Sequence, residues 1–188
     1  MKTLIATTII LSSAVFSAHA NQQEALANLG TNAFPEWLND STVLEHVKAQ
    51  NKKNSGLSES EIIALDKQWR AETESLSRPL IEDVLSNALS SYLEKVKNES
   101  EGLYTEIFVM DNKGLNVGQS DVTSDYWQGD EAKWQKTYLE GPKSVHVGDI
   151  EMDESTQEFQ AQVSVPVVDP ASGSVIGAVT VGVNVDAL

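Results

Sequence analysis

The chain has 188 residues, 13 basic against 28 acidic side chains, a formal net charge of -15 and no cysteine. Acidity this strong repels nucleic acid and anionic membranes, and the lack of thiols excludes disulfides, thiolate metal sites and lipid attachment through cysteine. The length fits one domain with a full core.

Lys2 precedes an apolar stretch from Leu4 to Phe16 that ends at Ala18-His19-Ala20. Charge, apolar block and small-x-small box in that order predict a signal peptide over residues 1–20, cleaved before Asn21. The block is too short to span ~30 Å of hydrocarbon as a helix, and no later segment is apolar enough. The expectation is an exported soluble chain, periplasmic or secreted, with no membrane insertion. Residues 21–32, rich in Gly, Asn and Gln, are expected to be loosely held.

Trp37, Leu38, Val43, Leu44 and Val47 recur at helical spacing, which predicts a helix over 34–53 that stops at Asn54-Ser55-Gly56. Residues 21–57 are read as a helical appendage to a domain over 58–188. Ser58 and Glu61 have capping-box spacing and start the next helix, with Ile62, Ile63, Leu65 and Trp69 on it. Ser77 is expected to cap a restart, with Pro79 in its first turn. The repeat from Leu80 through Val84, Leu89 and Leu93 to Val96 then predicts one long helix with an apolar stripe, ending at Glu101-Gly102.

After Gly102 the period becomes two. Strands are predicted at 103–110 and 115–119 around the turn Asp111-Asn112-Lys113-Gly114, then at 144–152, 158–168 and 175–185. The last two are joined by the turn Asp169 to Gly173. Residues 121–139, which hold Tyr126, Trp127, Trp134 and Tyr138, are read as a loop with a short helix. The order predicts an α+β fold in which an antiparallel sheet of about five strands packs on the long helix, with further helices N-terminal to it.

The strands alternate. Phe159, Ala161, Val163, Val165 and Val167 share one parity, as do Val175, Val179, Val181, Val183 and Val185, whereas Gln160, Gln162, Ser164, Thr180 and Gly182 share the other. The valine face is expected to bury against the long helix. The small, polar face is either solvated or covered by 121–139, which would then close a cavity over Gln162 and Thr180. In that segment Tyr126, Trp127, Asp130, Trp134, Lys136 and Tyr138 combine aromatic walls with both signs of charge. That set suits an amine or zwitterion, with an aromatic face and Asp130 for an ammonium and Lys136 for a carboxylate. The alternative is that Trp127 and Trp134 only anchor the loop. Indoles that line a cavity favour ligand binding, and indoles packed shut favour a docking surface without ligand.

Enzyme chemistry finds little support. Beyond the leader only His46 and His146 remain, and the metalloprotease, nucleophile-elbow and phosphate-loop motifs are lacking. His146 reads as an ordinary strand histidine. Asp149, Glu151, Asp153 and Glu154 read as a solvated acidic edge without the spacing of a calcium loop. Neither cofactor nor metal is expected.

The sequence Glu106-Ile107-Phe108-Val109-Met110-Asp111-Asn112-Lys113-Gly114, the stretch from Ser124 to Asp130 and on to Trp134, and the closing run Val165 to Asp169 and Ile176 to Val183 resemble the Cache (PDC) extracellular sensor domains, PAS-like modules of bacterial chemoreceptors and sensor kinases. The resemblance covers about Ser58 to Leu188. It implies a small-molecule pocket between the sheet and the connection from its second to its third strand. Members are usually tethered and followed by a signalling domain, whereas this sequence stops at Leu188. The expectation is therefore a free-standing binding subunit for an amine, amino acid or carboxylate that acts with a membrane-bound receptor or sensor kinase.

Overall fold

The computed structural model describes residues 21–152 and 159–188; the expected leader, and Asp153, Glu154 and Glu158, lie outside them. Residues 21–28 are helical and run through a π-helical turn, Leu29–Ala33, into α1 (Phe34–Leu38). Asp40 caps α2 (Ser41–Lys53) by accepting from the Thr42 amide. Ser58 and Glu61 form the expected reciprocal capping box at the start of α3 (Glu59–Thr73).

The cap of the next helix is not Ser77. The buried Glu72 reaches back from α3 to accept from the Leu80 and Ile81 amides at 2.8 and 3.0 Å, starting α4 (Pro79–Leu85). Burial alone would raise the Glu72 pKa, but the donors Gln68, Ile81 and Leu80 outweigh it and hold the carboxyl below its ordinary value. Nor is the long helix continuous. Asn87 leaves helical geometry, accepts from the Ser90 amide and donates to the Val117 carbonyl, so α5 (Ala88–Glu99) is a separate segment.

The sheet has six antiparallel strands: β1 (Tyr104–Met110), β2 (Asn116–Gln119), β3 (His146–Val147), β4 (Glu151–Met152), β5 (Phe159–Val168) and β6 (Val175–Asn184). Their order is β2-β1-β6-β5-β3, with β4 also on β5. The sixth strand arises because the predicted 144–152 strand is interrupted after Gly148, whose amide still donates to the Gln162 carbonyl, and it pairs with β5 as two short stretches, His146–Val147 and Glu151–Met152. The short helix α6 (Ala132–Tyr138) lies in the β2–β3 connection.

The valine face is the main core. Val163, Val165, Val179, Val181 and Val183 pack with Leu89 and Leu93 of α5, and equally with Leu26, Phe34, Leu38, Val43 and Val47. The helices of 21–53 therefore cover the same face as α5, and Leu26, in the stretch expected to be loose, is fully buried. Phe159, counted with that face, instead stands about half exposed opposite Met152 at the strand end.

Candidate functional site

The 121–128 loop is shaped by what grips it. Asp66 on α3 accepts from the Tyr126 and Trp127 amides, both at 3.0 Å, and Trp69 donates its indole N–H to the Thr123 carbonyl at 2.8 Å. Arg70 pairs with Asp66 and Asp125. Beneath the loop, Asn116 donates to Thr123 and to the Gln119 side chain inside the protein.

The tip of the β1–β2 hairpin anchors the other end. The fully buried Asp111 carboxylate accepts from Gln50, Asn54 and the Lys113 and Leu115 amides at 2.8–3.1 Å. Against this tip Gly114, at positive φ, and Gly129 come so close that a side-chain carbon at either would overlap its neighbours. Trp127 donates its indole N–H to the Lys113 carbonyl, and Trp134 donates its own to the Asp111 carbonyl.

Helix α6 is thereby laid over the second face of the sheet. Trp134 stacks on Tyr138, ring centres 4.7 Å apart, and both pack on Phe108, Met110 and Ala178. Beside this contact the helix and sheet diverge and leave an open cleft of about 580 Å³. Glu131, Lys133 and Lys136 of the α6 segment stand on one side, and Gln160 and Gln162 of β5 on the other. His146, Asp149 and Glu151 of the edge complete it.

The charges of the cleft differ in freedom. Lys133 is tied down: it pairs with Glu131 at 2.9 Å, donates to Gln128 and sits 5.4 Å from the centre of the Phe108 ring. Lys136 is exposed and forms no ion pair among the described residues. His146 is held below its ordinary pKa by burial and by Lys136 and Lys133, with Asp149 opposing, which favours its neutral form, a donor and acceptor at once. Gln162 donates to Glu106 at 2.8 Å, and Thr105 donates to Gln160, which fixes both β5 amides.

The residues singled out from sequence therefore separate. Lys136 and Gln162 line the cleft. Thr180 is fully buried on the same face and shares a 2.9 Å hydrogen bond with Ser164. Trp134 and Tyr138 seat α6; burial, with the nearby Asp111 charge, raises the Tyr138 pKa. Tyr126 stacks on Trp69 on the far side of the loop, where burial raises its pKa strongly, and Trp127 packs in the same cluster. Asp130 is exposed and is not a lining residue of the cleft. Lys133 and Gln160 line it without having been singled out, and so does His146, which the sequence reading set aside as an ordinary strand histidine. A signal existed for two of them: Lys133 lies three residues before Lys136 on the helix, and His146 pairs with Ser164, a residue of the polar parity.

Among the described residues no His, Asp and Glu cluster suits a metal ion, and no helix is long and apolar enough to cross a membrane.

No protein-family model and no curated protein matches the sequence. Solved structures do. The E. coli DcuS sensor domain superposes with a TM-score of 0.50 at 14% identity, covering 88% of this chain and 93% of that one. The sensor domain of the V. cholerae histidine kinase DctB gives 0.47 at 13% identity, covering 93% of this chain and 58% of that one. The ligand-binding domain of the Pseudomonas aeruginosa amino acid chemoreceptor PctC, solved with GABA, gives 0.42 at 13% identity, covering 89% and 62%. This chain thus spans nearly all of the DcuS domain but little more than half of the DctB domain. With one antiparallel sheet in the order β2-β1-β6-β5-β3, helices on its valine face and α6 across the other, the chain has the fold of the Cache (PDC) sensor domains.

Proposed function

We propose that the chain is the ligand-binding part of a sensory system. It works outside the cytoplasm and holds a small polar ligand, an amine, amino acid or carboxylate, in the cleft between α6 and the polar face of the sheet. It reports to a membrane-bound receptor or kinase and catalyses no reaction. The observation that carries this reading is the composition of the cleft. An unpaired lysine and a neutral histidine stand with Asp149 and Glu151 and two oriented glutamines around about 580 Å³, within the volume range of small-molecule sites. Such a set meets both ends of a zwitterion. Lys136 supplies the cationic contact and Gln162 a directional one, while Trp134 and Tyr138 position the helix that presents Lys136.

The test is a thermal-shift screen against amino acids, amines and carboxylates, repeated on Lys136→Ala and Gln162→Ala. A ligand at about 100 times its dissociation constant adds ~2.7 kcal/mol of stability. We expect a stabilising hit that both variants weaken. A hit that neither variant alters would remove the ligand from this cleft. The packing of both Trp127 and Trp134 against the hairpin tip favours a second reading, a docking protein without ligand. The absence of any saturable hit in the screen would put that reading first.

A further inference from the structure

A second cavity, of about 510 Å³, opens on the other side of the sheet edge. Its floor is Val165, Pro166 and Val168 of β5, beyond the point where β3 stops pairing. One wall is Pro35 and Leu38 of α1, the other Pro142 and Val145 of the α6–β3 connection. The helical stretch reaches this floor at Gly30, inside the π-helical turn, where a side-chain carbon would lie only 3.0–3.2 Å from Val165, Val163 and Val145.

The charge here is the reverse of the molecule's own. On a chain of net charge -15 this groove has no acidic lining residue, and its single ionisable one is Lys143, which is exposed and forms no ion pair among the described residues. A groove lined mainly by apolar residues, with Thr31, Asn39 and Ser144 as its neutral polar ones and Lys143 as its one unpaired ammonium, complements a molecule with an aliphatic chain and one negative head. We propose that this groove is a second ligand site, for a free medium-chain aliphatic carboxylate, with its chain along Val165, Pro166 and Leu38 and its carboxylate at Lys143. The site is independent of the reading given to the cleft.

The test is calorimetric titration of the purified protein with hexanoate, octanoate and 1-octanol. Octanoate is expected to bind saturably, tighter than hexanoate by up to about fourfold per added methylene, and tighter than the alcohol. Lys143→Met, at an exposed position, is expected to leave the melting temperature unchanged and to bring octanoate down to the level of octanol. Lys136→Ala, in the other cleft, is expected to leave octanoate affinity unchanged. No saturable octanoate binding, no dependence on chain length, or unaltered octanoate affinity in Lys143→Met would each overturn the proposal. Loss of octanoate binding in Lys136→Ala would also overturn it, by placing the acid in the cleft.

Discussion

The two faces of the sheet are built from the same strands to opposite ends. On one, valines from β5 and β6 meet apolar side chains of 21–53 and α5 in a continuous buried cluster. On the other, Phe108, Met110 and Ala178 meet Trp134 and Tyr138 of the short helix α6, and around this small contact the face carries polar side chains such as Glu106, Gln160, Gln162, Ser164 and Thr180. The difference teaches how a strand divides its labour. Side chains that alternate by one residue let a single backbone hold the apolar core with one parity and present polar groups to a separate layer with the other.

The largest effect expected from breaking this contrast lies on the valine face. Phe34→Ala removes a fully buried ring that meets Tyr104 edge-on at 5.7 Å, and should cost about 3–5 kcal/mol in denaturant unfolding. A loss below 1 kcal/mol would mean that the N-terminal helices are an appendage after all. Asp111→Ala comes next, because it strands several buried donors at the hairpin tip that anchors α6. We expect about 2–3 kcal/mol of destabilisation together with weaker ligand binding, and an unchanged affinity would uncouple the tip from the cleft.

On the polar face Thr180→Val should cost only about 1–2 kcal/mol, the price of leaving the Ser164 hydroxyl unpaired. The same face should also respond to pH. His146 has a lowered folded pKa, so the unfolded chain takes up the proton first. Its contribution is complete above the unfolded value of about 6.5 and is lost as pH falls from there through the folded pKa. His146→Gln should flatten the melting temperature across that window. The carboxyls held low by hydrogen bonds or ion pairs, Asp40, Glu61, Glu72 and Asp169, act below their ordinary values and leave the window clear. The smallest effect is expected at Lys95, whose pair with Glu99 is 3.7 Å long and mostly exposed: Lys95→Ala should change stability by less than about 0.5 kcal/mol.

Much of this was legible in the sequence because period-two alternation and capping chemistry are local. The valine parity, the Ser58–Glu61 box and the hairpin turn needed only neighbouring residues to be read. Long-range contacts were less visible. Glu72 caps a helix eight residues on, and the break at Asn87 depends on a strand thirty residues away that accepts its side-chain amide. Of the aromatic loop, the sequence showed that bulk was present but not which way it faced. Trp127 and Trp134 are turned by backbone carbonyls of the hairpin tip, and this leaves the cleft to Lys133, Lys136 and His146. The segment 21–32 looked loose by composition, yet Leu26 and Gly30 are buried in it and Leu29 packs on the core.

The interrupted third strand has a consequence for the molecule among its own copies. Exposed strand edges invite further chains to add on, and long flat ones seed aggregates. Here β5 is covered by two fragments of two residues each, and the stretch beyond them carries Pro166, which has no N–H to offer. At the opposite rim β2 is only four residues long, and Tyr126 already accepts from the amide of Asn116. Both rims are thus poor templates, and the protein should stay monodisperse at concentrations where a sheet with two clean edges would begin to stack.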